Sequence, residues 1–250
     1  MVPSTWSKAL QFLWEWRLLA KMKKTKNNNR LKENIDTSKI YEPSDAIKIL
    51  KDNSYTKFEE ALEVAINLGI DSNKTDQNIR GVISLPKGTG KSIKVAVLAK
   101  GDKQSEAKAA GADLVGETEL IDSISKGKID FDTLIATPDM MPAVGKVAKV
   151  LGPKGLMPNP KLGTVTQDLK TAIQNAKAGQ VQFRNDKAGI VHAGIGKMNF
   201  KIDDLLENLK AFFNSINKSK PETVKGSFIK KVTIASTMGV GLEINVTSLR

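Results

Sequence analysis

The chain has no cysteine and only one histidine, His192. Without cysteine it can form neither a disulfide nor a thiolate metal site. A single histidine excludes a metal site built from several imidazoles, and a serine–histidine triad would have to use His192 itself. These absences remove many common enzyme classes before any motif is considered. We expect no metal, no cofactor and no enzymatic activity, of which the composition itself excludes thiolate sites and metal sites built on several imidazoles.

Long apolar runs are also missing, because no stretch reaches the roughly 20 residues that a membrane-spanning helix needs. Apolar residues make up 40% of the 250 positions and charged residues 26%, which is usual for a globular protein with a buried core. Positive charge is abundant instead, with a formal net charge of +12. A surplus of this size favours a polyanionic partner, either nucleic acid or an anionic membrane surface.

The beginning of the chain differs from the rest, since all of its tryptophans lie there. The apolar stretch 9–20 is interrupted by Glu15 and Arg17, so it is a poor signal-peptide core. A basic, polar run over 21–32 follows and is typical of a flexible arm. Three interpretations stay open: translation starts at Met22, the segment is an organellar transit peptide, or it is a real extension with its own partner.

Two patterns of regular structure divide the chain. Between Gly88 and Ala178, short apolar strands alternate with helices, which predicts parallel pairing with helices on both faces of the sheet. The flanks instead show paired strands, including an alternation of buried and outward-facing positions over 62–68, and one amphipathic helix, 203–216. We predict a discontinuous two-domain protein in which a doubly wound α/β domain is inserted into a split α+β domain. The predicted parts are an extra N-terminal segment 1–21, a split domain formed by 22–87 plus 180–250, and an inserted domain 88–179.

Glycine-rich segments mark the two crossings between the predicted domains. Two such crossings side by side would act as a hinge. We assign that role to Pro86, Gly88, Gly90 and Gly179.

Local patterns also predict two helices. Ser44 and Asp45 are predicted to cap a short one, and 143–151 is predicted to form one helix.

The segment 88–92 reads Gly-Thr-Gly-Lys-Ser and resembles part of a nucleotide-binding loop. The full motif needs another glycine where Leu85 stands, and a helix where the strand 93–99 is predicted. An NTP-dependent enzyme is therefore the weaker alternative, and titration with nucleotide and magnesium would detect it. A membrane-surface protein anchored by residues 1–20 is a third hypothesis, which carbonate extraction of membranes would test.

Two polar turns lie at strand ends in the flanks, at 184–187 and 236–239. Their small and polar residues allow close approach to RNA, and Asp186 and Thr237 carry groups that bond 2′-hydroxyls and base edges. Gly239 is predicted to permit a positive φ in its turn. Phe58, before a strand, can stack on RNA or pack against protein. Ordinary hairpin chemistry explains the same residues, so both interpretations stay open at this point.

Several segments together resemble one family, the bacterial-type proteins of the mobile stalk of the large ribosomal subunit. The resemblance runs from about Met22 to Asn245 and is carried by 57–58, 72–81, 137–140, 183–187, 237–239 and above all the proline- and glycine-rich loop 151–160. Two positions depart from the family pattern, with Lys87 in place of a histidine and Val240 in place of a proline.

The resemblance implies a discontinuous RNA-binding domain with an inserted α/β domain. It also implies three RNA partners: the stalk of large-subunit rRNA, the tRNA in the exit site, and the mRNA of the protein's own operon, which it represses. It implies no membrane partner and a monomer within the cytoplasmic ribosome of a bacterium, an organellar ribosome being the alternative. The RNA-facing residues implied by position are Lys57, Phe58, Asn185, Asp186, Lys187, Thr237, Met238 and Gly239.

Overall fold

The computed structural model describes residues 35–36, 38–72, 74–224 and 226–249. Within these ranges, the strands form one sheet of five strands, one of two and one of three. The strands are β1 (Ile40–Tyr41), β2 (Ala61–Leu68), β3 (Arg80–Ser84), β4 (Val95–Leu98), β5 (Leu114–Gly116), β6 (Thr133–Ala136), β7 (Gln180–Arg184), β8 (Ile190–Lys197), β9 (Ile229–Ser236) and β10 (Leu242–Ile244).

The helices belong to both parts of the described chain. The α-helices are α1 (Pro43–Asp52), α2 (Asp102–Ala109), α3 (Thr118–Ser125), α4 (Met141–Lys146), α5 (Ala148–Leu151), α6 (Leu169–Lys177) and α7 (Ile202–Lys218). Short 3-10 turns lie at Thr75–Gln77, Pro138–Met140, Pro160–Leu162 and Thr247–Leu249.

The five-stranded sheet has the order β1-β10-β9-β2-β8, and its strand β2 pairs antiparallel with both β8 and β9. Alternate residues of β2 are buried, as the period of two in the sequence predicts. The long helix α7 is amphipathic, as predicted, and buries Leu205, Leu209, Phe212, Phe213 and Ile216. Together these apolar faces form the core of this part of the protein.

The three-stranded sheet is parallel, with the order β5-β4-β6. Every residue of β4 is buried. Ala96 and Leu98 pack against residues of α3, α4 and α5, whereas Val95 and Val97 pack against residues of α2 and α6. Both faces are therefore covered by helices, which explains why this strand is a continuous apolar run in the sequence.

The predicted domain boundary coincides with a division between sheets. The five-stranded and two-stranded sheets draw only on strands from the two flanks, and the three-stranded sheet draws only on strands between Gly88 and Gly179. Residues 40–250 nevertheless pack as one compact unit. The mixed α/β class is confirmed, while the division into two domains stays a prediction. The predicted extra segment 1–21 lies outside the described residues.

Two local predictions were wrong. Helix α1 begins at Pro43 after an N-cap at Glu42, so Ser44 and Asp45 lie in its first turn and do not cap it. Proline suits that first position because its missing N–H has no partner inside the helix. The single helix predicted over 143–151 is instead two, α4 and α5, which are interrupted at Val147.

Helix α6 was not predicted, although its start carries a recognisable signal. The carboxylate of Asp168 accepts a hydrogen bond from the backbone N–H of Thr171 at 3.3 Å. This is the usual N-cap arrangement, in which a side-chain oxygen accepts from one of the first free amides of the helix.

Candidate RNA interface

The turn after β9 lies against the beginning of β2. The backbone N–H of Thr237 donates to the carbonyl of Ala61 at 3.1 Å, and the N–H of Ala61 donates to Thr237 Oγ1 at 3.0 Å. The Thr237 hydroxyl also lies 3.4 Å from the Ala61 carbonyl, to which it donates. Thr237 thus joins the segment that carries Phe58 to the turn that carries Met238. Its hydroxyl has a structural role that the sequence pattern did not show.

Three large apolar side chains are exposed at this end of the sheet. Phe58 is 55% exposed, Met238 50% and Tyr55 42%, and these are three of the five exposed large hydrophobic residues in the described ranges. The Tyr55 hydroxyl donates to the Met238 carbonyl at 3.4 Å. A group of exposed apolar side chains indicates a contact surface, whereas single ones need no explanation. We call the group formed by Tyr55, Lys57, Phe58, Thr237, Met238 and Gly239 the Phe58 surface.

Sequence reasoning missed Tyr55, although an aromatic residue so close to Phe58 was a possible signal. Lys57 is exposed, as its predicted role requires. The structure therefore brings Lys57, Phe58, Thr237, Met238 and Gly239 together.

Gly239 does not adopt the positive φ that the sequence analysis expected glycine to permit in this turn. The constraint is instead a close approach. A Cβ added at Gly239 would overlap Ser236 Oγ and would lie 3.6 Å from Leu50 Cδ2. The Gly239 N–H donates to the Ser236 carbonyl at 3.1 Å, which closes the turn. A side chain at this position would therefore require Ser236 to move, whereas the backbone conformation does not demand glycine.

The second predicted group lies in the turn between β7 and β8. Asn185 is buried, and its Oδ1 accepts from the Ile79 N–H at 2.8 Å while its Nδ2 donates to Asn78 Oδ1 at 3.1 Å. These bonds hold the turn to the chain just before β3. The Asn185 side chain therefore has internal partners and positions its neighbours. Lys187 follows in the same turn with an exposed side chain.

Asp186 shapes this turn through its carboxylate. Asp186 Oδ1 accepts from the N–H groups of Ile190 at 2.8 Å and Ala188 at 2.9 Å. The hydrogen bond from Ile190, supported by the one from Ala188, holds the pKa of Asp186 below its ordinary value. His192 Nε2 lies 3.7 Å from Asp186 Oδ2, so the chain's one histidine adjoins a carboxylate on an exposed strand face.

The two predicted groups lie at opposite ends of the five-stranded sheet. Leu62 of β2 pairs with Ser236, next to the Phe58 surface, whereas Asn67 pairs with Ile190, next to the turn 185–187. Five steps along an antiparallel strand correspond to about 17 Å. The structure thus divides the predicted RNA-facing set into two groups, and a single RNA would have to extend along the sheet to reach both.

The residues assigned to the hinge lie in two adjacent crossings. Gly88, Gly90 and Gly179 all have positive φ, at 67°, 69° and 93°. A Cβ added at Gly179 would lie 2.7 Å from the Cα of Gly88, so the two chain segments pass each other closely. Pro86 is exposed in the turn before Gly88. Motion at these crossings stays a prediction.

Asn208 holds the first crossing, and sequence reasoning missed it. This fully buried residue of α7 accepts from the Lys87 N–H through Oδ1 at 3.0 Å. Its Nδ2 donates to the carbonyls of Gly88 at 3.0 Å and Ile195 at 2.9 Å. A polar residue on the apolar face of a helix needs such partners when it is buried. That exception in the helical pattern was the signal that could have identified it.

Lys87 stands where the family resemblance implies a histidine. Its Nζ lies 3.4 Å from Glu207 Oε2 and 3.6 Å from Asp204 Oδ1, both on α7. Glu207, the closer carboxylate, contributes most to raising the pKa of Lys87 above its ordinary value. Lys87 therefore holds its segment to α7 in two ways. Its side chain forms ion pairs, and its backbone N–H donates to Asn208.

The loop 151–160 packs against the core of the three-stranded sheet and also borders a cleft. Leu156 and Met157 pack against the core of the three-stranded sheet. Lys154 lines a cavity of about 460 Å³, together with Lys91 and with Lys197 from the end of β8. Asp132, also in the lining, pairs with Lys91 at 2.6 Å. The loop thus adds positive charge to a cleft between the flanks and the middle of the chain.

Glu60 is buried directly beside the Phe58 surface, with 2% of its surface exposed. Neither of its carboxylate oxygens has a hydrogen-bond partner among the described residues. Because an unpaired buried charge is costly, we expect Glu60→Gln to raise the free energy of unfolding at neutral pH by about 1–3 kcal/mol. Urea unfolding would measure it, with Glu63→Gln at an exposed position of β2 as control. A loss of stability specific to Glu60→Gln would show that the carboxylate has a partner and would contradict this expectation.

In the described ranges, no helix combines the length and the apolar character needed to cross a membrane.

The model of the Ribosomal protein L1p/L10e family matches residues 50–240. Proteins named large ribosomal subunit protein uL1 are similar over most of the chain. That of Rickettsia peacockii (strain Rustic) is 55% identical over 218 residues, which cover 87% of this chain and 91% of the relative.

A second relative with the same name, from Rickettsia akari (strain Hartford), is 52% identical over 232 residues, or 93% of this chain and 97% of the relative. That of Rickettsia rickettsii (strain Sheila Smith) is 54% identical over 218 residues, which cover 87% of this chain and 91% of the relative. The family expected from the sequence is thereby confirmed, and with it the expectation that the protein is not an enzyme. The chain belongs to the Ribosomal protein L1p/L10e family of ribosomal proteins.

Proposed function

We propose that this protein is a structural component of the large ribosomal subunit that binds the rRNA of the mobile stalk, chiefly through the Phe58 surface. The observation that carries the proposal is the group of exposed side chains at one sheet end, Tyr55, Phe58 and Met238, on a chain of net charge +12. Unpaired RNA bases stack on aromatic side chains. Lysines such as Lys57 attract the phosphates without reading the sequence.

Two further activities belong to the proposal: assistance in releasing tRNA from the exit site, and repression of the operon that encodes the protein. A compact RNA-binding surface accepts any RNA that presents the same groups, so an mRNA that mimics the rRNA site would compete for it. Relatives from Rickettsia support the cytoplasmic ribosome of a bacterium over an organellar one. The rate of tRNA loss from ribosomes with and without the protein, and a reporter fused to the operon leader, test these two activities.

A two-domain arrangement is part of the same proposal, with an RNA-binding domain formed by 22–87 plus 180–250 and an inserted domain 88–179. The adjacency of Gly88 and Gly179 supports it, because two flexible segments side by side permit rotation with little other rearrangement. Movement of the inserted domain would then follow or accompany the tRNA as it leaves.

Binding of stalk rRNA tests the central proposal. We expect Phe58→Ala and Met238→Ala each to weaken binding to a stalk rRNA fragment by about tenfold. Phe58→Ala removes a stacked ring that contributes roughly 1–3 kcal/mol, and Met238→Ala removes a flexible apolar side chain that covers a base or ribose face. The dependence of log affinity on log salt should not change, since no phosphate-bound cation is removed. Leu114→Ala is the matched control, as Leu114 is also an exposed apolar residue but lies on β5.

Binding would be measured against the stalk fragment and a scrambled duplex at several salt concentrations. If Phe58→Ala and Met238→Ala bound the stalk fragment as tightly as Leu114→Ala does, the Phe58 surface would not be the recognition site. If the unmodified protein bound both RNAs equally, the proposed function itself would be wrong.

A further inference from the structure

Arg80 and Arg184 lie directly opposite each other in the two-stranded sheet of β3 and β7. The adjacent pair, Gly81 and Phe183, faces the core, since the Phe183 ring is buried against Gly81 and lies edge-on to Phe212 at 5.7 Å. Successive residues of a strand point to opposite faces. Both arginines therefore project from the outer face, where both are exposed.

This pair is unfavourable for the protein alone, because like charges directly opposite in a sheet are destabilising. Neither guanidinium has an ion pair or a hydrogen bond within the described ranges. The nearby carboxylate of Asp186 offsets this charge in part, but it forms no ion pair with either arginine: its Oδ1 accepts two backbone N–H groups and its Oδ2 faces His192.

A concave site surrounds the two side chains. They line a cavity of about 380 Å³ with the adjoining turn, whose Lys187 adds a third cation. The remaining side chains of the lining include the carboxylate of Asp186, the hydroxyl of Ser72 and the amide of Asn78. The Ser72 hydroxyl donates to the Lys187 carbonyl, which holds the turn beside the arginines. The site is thus small and polar, and its three cations outnumber its one carboxylate.

We propose that Arg80 and Arg184 form a clamp for the phosphodiester backbone of RNA. Each guanidinium presents a planar fork of donors that matches phosphate oxygens, and an anion between them would remove their mutual repulsion. The inference rests on the proposed function and extends it to the sheet end opposite the Phe58 surface. One RNA lies along the sheet, with its bases read at the Phe58 surface and its backbone held at the clamp.

The test uses Arg80→Glu in the full chain, which replaces the opposed like charges by an opposed Glu–Arg pair. The melting temperature should stay equal or rise, while affinity for the stalk fragment falls about tenfold or more. The slope of log affinity against log salt should become shallower by about one for each phosphate that the variant no longer binds. Lys108→Glu is the control, because it makes the same change of net charge at an exposed position of α2.

The clamp would be disproved if Arg80→Glu matched Lys108→Glu in affinity and salt slope while the unmodified protein still preferred the stalk fragment. That result would leave the proposed function standing. If the unmodified protein showed no preference for the stalk fragment, both the clamp and the proposed function would be wrong. Should Arg80→Glu fail to fold, Arg80→Gln gives the same slope comparison, and a variant whose slope is unchanged would overturn the clamp.

Discussion

Replacing Gly239 by alanine is expected to weaken specific binding of stalk rRNA by about ten- to a hundredfold, or roughly 1–3 kcal/mol. The added Cβ would overlap Ser236 Oγ, so either the Ser236 side chain or the turn has to move. Movement of the turn displaces Met238 and the backbone groups that Thr237 holds against Ala61. Binding of non-specific duplex and the salt slope should stay almost unchanged, because the nearby lysines are intact.

The structure also offers a rescue for this variant. Ser236→Ala removes the hydroxyl that the new Cβ would meet, so the double variant Ser236→Ala/Gly239→Ala should recover most of the specific affinity. Gly145→Ala is the control, since a Cβ at Gly145 meets nothing within 4 Å. Binding curves with stalk and scrambled RNA would measure the effect. Normal specific binding by Gly239→Ala would move the recognition site away from this turn, and failure of the rescue would argue against the overlap as the cause.

Asn208→Ala is expected to lower the free energy of unfolding by about 2–4 kcal/mol, because it breaks one buried and two part-buried hydrogen bonds to the backbone. The Ile195 carbonyl, the Gly88 carbonyl and the Lys87 N–H would each lose a hydrogen bond. The side chain removed is fully buried, so a small cavity adds to the cost. Urea unfolding measures the change, and Asn214→Ala, at an exposed position of α7, is the matched control.

The same variant bears on the proposed hinge. Asn208 ties the first crossing to α7 through Lys87 and Gly88, so its loss should broaden the distance distribution between spin labels placed on α2 and α7. Asn214→Ala should leave that distribution as in the unmodified protein. A stability equal to that of Asn214→Ala would contradict the role given to these hydrogen bonds, and a narrow, unchanged distribution would contradict a hinge controlled by Asn208.

Strong periodicity made several elements predictable. The alternation in β2, the continuous apolar run of β4 and the apolar stripe of α7 each follow from which faces are buried, and each was recognised. The boundaries were less predictable, because helix ends depend on local hydrogen bonds. The break at Val147 and the start at Pro43 are of this kind.

The amino-acid sequence by itself determined the family, the absence of thiol chemistry, the positive net charge and the residues expected to face RNA. Only the tertiary structure decided how those residues are distributed, because strand register depends on contacts between distant parts of the chain. It placed the segment of Phe58 against the turn of Met238 but Lys187 at the other end of β2, and it set Arg80 opposite Arg184. It also showed that Asn208 bonds to a segment about 120 residues earlier in the chain.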